Sequence, residues 1–265
     1  MMQDNYIEIN RALWDTKTAF HVASGFYGTE QFIQGKSSLN DIELQLLGDV
    51  KGKSILHLQC HFGQDSLSLT RMGANVTGVD FSGVAIDKAR ALNDQLGLNA
   101  VFICSDVYDL PAHLDQQFDI VFTSYGTIGW LPDMKRWANI VARYTKPGGR
   151  FVFAEFHPVV WMFSNDFSHI QFPYFNIEPI IEASVGTYAD RSAPISAKEV
   201  GWNHNLAEVF QSIIDAGLQI EAFAEFDYSP YNCFSNMVEV SPGRFQISGL
   251  QHKIPMVYTL LAQRL

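Results

Sequence analysis

Residues Ser54 to Asp80, SILHLQCHFGQDSLSLTRMGANVTGVD, decide the fold. Ile55, Leu56 and Leu58 form a short apolar run of the kind found in a strand covered on both faces, as parallel sheets require. The run stops at Gln59. From Gly63 to Met72 the apolar positions Leu67, Leu69 and Met72 fall mostly on one helical side, with Asp65 near the positive N-terminus and Gly73 as the stop. A second run, Val76 to Val79, leads into Asp80. That carboxylate stands roughly 20 residues beyond the first turn, the offset at which an acid meets the ribose hydroxyls of a nucleotide lying across adjacent strand ends. The spacing suggests a nucleoside-containing cofactor.

The pattern repeats downstream. Ser82 is a candidate N-cap for a helix with Ala85, Ile86, Ala89 and Leu92 or Leu96 as its apolar stripe and Gly97 as its stop. A third strand, Ala100 to Cys104, ends at Ser105-Asp106-Val107. A fourth, Asp119 to Thr123, ends at Ser124-Tyr125-Gly126. A helix from Asp133 to Tyr144 and a break at Lys146-Pro147-Gly148-Gly149 precede a fifth strand, Arg150 to Phe156. Strand alternating with helix at short intervals implies parallel pairing through right-handed crossovers, hence an open, doubly wound α/β sheet with ligands at the strand C-termini. From His157 to about Gly201 the alternation fails, and this aromatic, proline-punctuated stretch reads as an insertion over the strand ends. A helix capped by Asn205, a sixth strand at Leu218 to Phe226, a loop-like aromatic stretch from Tyr228 to Gly249 and a seventh strand at Met256 to Leu261 complete the chain. Before the first strand, Ile7, Leu13 and Trp14 share part of a helical face, while His21 to Gly35 reads as loop. The aromatic residues there either pack on the outside of the core or close a pocket against water. Ser38, Asn40 or Asp41 caps a helix ending at Gly48.

With 265 residues, 47% hydrophobic and 17% charged, the chain can bury a sizeable core without disulfides or metal. We expect one domain with insertions. A formal net charge of -10 without a Lys/Arg cluster excludes nucleic acid as the expected partner. Three cysteines without a CxxC suggest neither a disulfide framework nor a zinc site, and the expected compartment is the cytoplasm. His57 and His61 flank a strand end rather than sharing a helix face, so no metal site is expected. No signal sequence or membrane span is read in the chain. Ser-His-Asp, HExxH and Walker patterns are missing, which leaves hydrolase and triphosphatase readings without support.

The succession ILHLQCHFGQDSLSL, GANVTGVDFS, CSDVYDLP, FDIVFTSYG and TKPGGRFVFAEFHP, then a late helix ending in AGL and a closing strand, resembles the class I S-adenosylmethionine-dependent methyltransferases. Its HLQCHFGQD motif is similar to that of a bacterial subgroup acting on small molecules. The resemblance implies a Rossmann-like, seven-stranded sheet, mostly parallel with an antiparallel last strand, plus aromatic-rich lid or cap insertions. Residues 1–40 would form an N-terminal lid segment, and 41–265 the methyltransferase domain with insertions at about 157–201 and 228–250. The family's first loop has an acid in the strand followed by three glycines. Here the acid is His57, and two of the glycines are Gln59 and His61.

By this resemblance Gln59, Cys60, His61 and Gly63 would flank the amino-acid part of S-adenosylmethionine. Asp80 would hold the ribose hydroxyls, Phe81 would lie against adenine, and Asp106 and Val107 would read its edge. Ser124 and Tyr125 would line the floor near the sulfonium. Asp80 and Asp106 could instead merely cap the helices that follow them. The candidate bases are His157, His204 and Tyr125, and the candidate lid or acceptor contacts are Trp14, His21, Phe26, Tyr27 and Trp161. The expected partner is a small-molecule methyl acceptor with O, N or S open. An NAD(P)-dependent oxidoreductase and a non-catalytic binder of S-adenosylmethionine or S-adenosylhomocysteine are the rival readings. Oligomeric state is not read from the sequence.

Overall fold

In a computed structural model that describes residues 5–265, the chain begins with α1 (Tyr6–Ala23), α2 (Thr29–Ile33) and α3 (Asp41–Leu47). The first four residues of the expected lid segment lie outside the described residues. The alternating part follows as β1 (Ser54–Leu58), α4 (Gln64–Arg71), β2 (Asn75–Asp80), α5 (Gly83–Gln95), β3 (Val101–Cys104), β4 (Phe118–Ser124), α6 (Met134–Tyr144) and β5 (Thr145–Phe156). Then come β6 (Ile180–Val185), β7 (Ser196–Gly201), α7 (Leu206–Asp215), β8 (Leu218–Phe226), β9 (Met237–Ser241), β10 (Arg244–Ile247) and β11 (Val257–Arg264).

Seven strands form the central sheet in the order β3-β2-β1-β4-β5-β11-β8. The pairs from β3 through β5 are parallel, whereas β11 runs antiparallel to both β5 and β8. This is the doubly wound sheet with an antiparallel last strand that the sequence implied. Because successive strand residues face opposite ways, Ile55, Ile120 and Val152 pack with α3, α4 and α5 on one side. Leu56, Val121 and Phe151 pack with α6 and α7 on the other. Local chemistry places the helix starts as read: Ser82, Asp133 and Asn205 each accept a hydrogen bond from a first-turn N–H, and Asn40 forms a capping box with Glu43. The Lys146–Gly149 break lies within β5, as a register shift against β4. No helix among the described residues is long and apolar enough to cross a membrane.

Two expectations about the remaining segments need correction. His21 belongs to α1 rather than to a loop. The helix escaped its periodicity because Asn10, Lys17, Thr18 and His21 are buried polar residues, each with a partner. The insertions also carry hairpins. β6 pairs with β7, and β9 with β10 across Pro242-Gly243, a turn signal that the sequence did contain. Asn10 bonds both backbone groups of Val200, at 2.7 and 3.0 Å, and Lys17 pairs with Glu199 at 3.2 Å, so α1 is fastened to β7. On its other flank Asp15 accepts from the Ser82 hydroxyl at the start of α5.

Gly63 enters α4 at a φ of +80°, and a Cβ there would lie 2.7 Å from the Phe102 ring. Gly63→Ala should therefore destabilise the protein by about 2–3 kcal/mol, measured by denaturant unfolding. An unchanged midpoint would show that β3 yields to the methyl group without cost.

Candidate functional site

After Leu58 the chain must turn sharply from β1 into α4, and it does so through left-handed residues at Gln59, His61 and Gly63, with φ of +55°, +50° and +80°. For Gln59 and His61 that conformation costs on the order of 1–2 kcal/mol each. Their polar groups offset it. Gln59 donates its amide to the Thr127 carbonyl at 2.8 Å. The His61 backbone N–H donates to Asp80 Oδ2 at 2.9 Å, and its ring shares a 3.0 Å hydrogen bond with His21. Asp80 Oδ1 accepts from the Ser82 N–H, also at 2.9 Å. Burial pushes the Asp80 carboxyl up to about 6 against the pull of these N–H groups. His57, at the position of the family's strand acid, bonds the Ser66 hydroxyl at 2.8 Å and is pushed down to about 3 by burial, so it is neutral.

Over the strand ends lies a cavity of about 990 Å³. Gln59, Cys60, His61, Gly63, Asp80 and Phe81 line it from the first two loops, and Ser124 and Tyr125 from the end of β4. Trp14, Phe26 and Tyr27 reach it from the N-terminal segment, and Trp161, Tyr188 and Trp202 from the first insertion. His21 stands behind His61, outside the lining. Burial lowers both rings, His21 to about 3. Asp106 and Val107 are not brought into this cavity. They face a recess of about 30 Å³ beneath Tyr6, Ile7 and Asn10 of α1, far smaller than a purine, while Asp106 accepts from the Tyr108 N–H at 2.7 Å. Gln59, Asp80, Phe81 and Trp130 line both spaces.

The two histidines singled out as bases are otherwise engaged. His157 does not line the cavity; its Nε2 lies 2.9 Å from Glu225 on β8, and its Nδ1 accepts from the Val159 N–H. His157 follows β5, and its ring reaches across β11 to β8 rather than over β4. His204 does line the cavity, but its Nε2 donates to the Leu131 carbonyl at 2.7 Å and its Nδ1 faces Glu208 at 3.1 Å. Glu155 is spent inside the fold, where Thr127 and Ile128 donate backbone N–H groups to it.

What the sequence did not single out is the polar group around Tyr125. Its hydroxyl donates to Glu43 at 2.7 Å. Glu43 is wholly buried and also accepts from the Asn40 N–H, and burial, then the neighbouring Asp65, raises it to about 7. Asp65 accepts from the hydroxyls of Ser38 at 2.6 Å and Ser124 at 3.3 Å, and burial raises it as well. Asn40 donates to the Tyr231 hydroxyl, and the hydroxyls of Tyr27 and Tyr188 bond each other. The only sequence signal was Asn40-x-x-Glu43, which reads as a helix cap and hides the proximity to Tyr125.

Residues 55–149 match the sequence profile of a methyltransferase domain. The ubiquinone biosynthesis O-methyltransferase of Coxiella burnetii (strain Dugway 5J108-111) is 37% identical over 44% of this chain and 48% of its own length. That of Klebsiella pneumoniae is 28% identical over 50% and 56%. The chain spans about half the length of these curated relatives. Among solved structures, a methyltransferase from Methanosarcina mazei superposes with a TM-score of 0.57 at 20% identity, over 86% of this chain and 98% of its own. The DhpI–SAH complex gives 0.57 at 16%, over 98% of both chains, and the [4+2]-cyclase SpnF gives 0.55 at 19%, over 84% and 79%. The chain therefore has the fold of the S-adenosylmethionine-dependent methyltransferases, with a methyltransferase domain in its alternating half.

Because Glu43 is raised from 4.5 to about 7, the folded state binds more protons there than the unfolded chain between those values. Its contribution to stability therefore falls as pH rises through that window. Glu43→Gln removes this dependence, so the Tm of the variant minus that of the wild type should climb from pH 4.5 to 7 and level off above. A flat difference across the window would contradict it.

Proposed function

We propose that the protein transfers a methyl group from S-adenosylmethionine to a hydroxyl of a small molecule held in the cavity. The observation that carries this reading is the continuity of one cavity from Asp80 and the first loop to Tyr125. The residues fit the cofactor: a carboxylate at the ribose offset, the Phe81 ring beside it, and unpartnered buried amide atoms on Gln59 and Gln64 next to the turn. When bound, S-adenosylmethionine supplies an electrophilic methyl on a sulfonium leaving group.

The chain's own groups then have three tasks. The rings of Tyr27, Trp161, Tyr188 and Trp202 exclude water and hold the acceptor against the β4 end. Tyr125 takes the proton of the acceptor hydroxyl as it passes its own to Glu43, whose raised carboxyl is tuned near the operating pH. Oxygen is favoured as the acceptor atom because this relay ends on a base and because the curated relatives are named O-methyltransferases. The segment before α3 acts as a lid, with the first turn of α1 moving off the Asp106 recess to admit adenine.

Calorimetric titration with S-adenosylmethionine, S-adenosylhomocysteine and NAD tests the cofactor. Binding of NAD alone would turn the reading to an oxidoreductase, and tight sulfonium binding without homocysteine release across an acceptor screen would turn it to a binder. Asp80→Ala should weaken cofactor affinity more than tenfold, about 1.4 kcal/mol; lost stability with normal affinity would leave Asp80 only its role between the loops. Tyr125→Phe should lower turnover by about 100-fold or more with cofactor affinity intact, and unchanged turnover would exclude the relay.

A further inference from the structure

The turn from β1 into α4 and the first turn of that helix hold polar groups that no described residue satisfies. Gln64 is 6% exposed and lines the cavity, yet its Nε2 has no hydrogen-bond partner among the described residues. Gln59 is fixed by its donation to Thr127, which leaves its Oε1 buried, unpartnered and on the same wall. Asp65, next to Gln64 in the first turn of α4, also lines the cavity; it accepts from two serine hydroxyls and pairs with no Lys, Arg or His among the described residues. A buried amide donor without an acceptor costs about 1–3 kcal/mol, and a buried carboxylate without a cation is costlier still.

The three atoms are complementary to one chemical group. A free acceptor oxygen and an unpaired carboxylate ask for an ammonium, and an unpartnered N–H donor beside them asks for a carboxylate. Together they describe the zwitterionic end of an α-amino acid. His57, where the resemblance expects an acid in the strand, is neutral and bonded to Ser66. We infer that Asp65 and Gln59 hold the α-ammonium, and Gln64 the carboxylate, of the amino-acid end of the cofactor. This rests on the methyltransferase reading above. It also explains why Gln59 is kept at a strained backbone position, since a glycine there would offer no acceptor.

Two nucleosides separate this site from the rest of the pocket: S-adenosylhomocysteine, which has the amino-acid end, and 5′-methylthioadenosine, which lacks it. Both are titrated into the wild-type protein and into Asp65→Asn and Gln64→Glu, with Tm recorded for each. Asp65→Asn removes the charge and Gln64→Glu sets a repelling one against the carboxylate. Each variant should weaken S-adenosylhomocysteine more than tenfold and leave methylthioadenosine within twofold. Equal losses for both nucleosides, or S-adenosylhomocysteine within twofold of wild type in both variants, would overturn the assignment. If L-methionine alone competes with neither nucleoside but binds in an Asp65-dependent manner, the zwitterion belongs to a separate acceptor and the cofactor assignment is overturned. A wild-type protein that binds neither nucleoside would instead sink the methyltransferase reading itself.

Discussion

Two backbone N–H groups, those of His61 and Ser82, converge on the carboxylate of Asp80, each at 2.9 Å, and the geometry of the whole binding edge depends on them. The first fixes the turn out of β1, and the second fixes the start of α5. That carboxylate adds to the Gln59–Thr127 and His61–His21 bonds in holding three residues of the turn in the left-handed region. Charge-assisted hydrogen bonds to buried N–H groups are stronger than neutral ones, yet here burial dominates and pushes the carboxyl up to about 6. A carboxylate oxygen can accept more than one hydrogen bond. The same side chain can therefore hold the loops and face a ligand, so the choice between cap and contact posed by the sequence is not exclusive.

The cover over this edge is fastened differently from the core. Inside the sheet, apolar side chains from both helix layers do the work. Between α1 and the first insertion Asn10 bonds Val200 and Lys17 pairs with Glu199, while Leu13 packs with Ala193 and Ile195, and His21 bonds His61 of the first loop. A net hydrogen bond contributes about 1 kcal/mol, because water can replace either partner. Only the polar part of this cover exchanges readily with water; the Leu13 cluster lies further along α1 than the first turn, which overlies the Asp106 recess.

Fold alone leaves the chemistry open, since a cyclase shares this architecture at a similar TM-score. What separates one reaction from another is the set of groups at the far end of the cavity. There Tyr125, itself in the left-handed region, is tied to a carboxylate hidden behind it in α3. Of the two histidines that chemistry would first suggest, His157 lies against Glu225 of β8 and accepts from the Val159 N–H, and His204 is bonded to Glu208 of α7 and the Leu131 carbonyl.

The sequence by itself determined the sheet, its helix caps and the set of loops at the strand C-termini. These are written in local periodicity and capping chemistry over a few residues, and the first loop, Asp80, Ser124 and Tyr125 all lie where that pattern put them. Only the tertiary structure decided which of those side chains face one cavity. His157 and Asp106 follow strand ends as expected, but the ring of the first reaches across β11 to β8, and α1 covers the second. Glu43, Gln64 and Asp65 sit in helix first turns, where the sequence reads acids as dipole or cap residues. Their proximity to Tyr125, or to an unfilled part of the cavity, depends on how α3 and α4 pack against β4 and β5, which no spacing along the chain records.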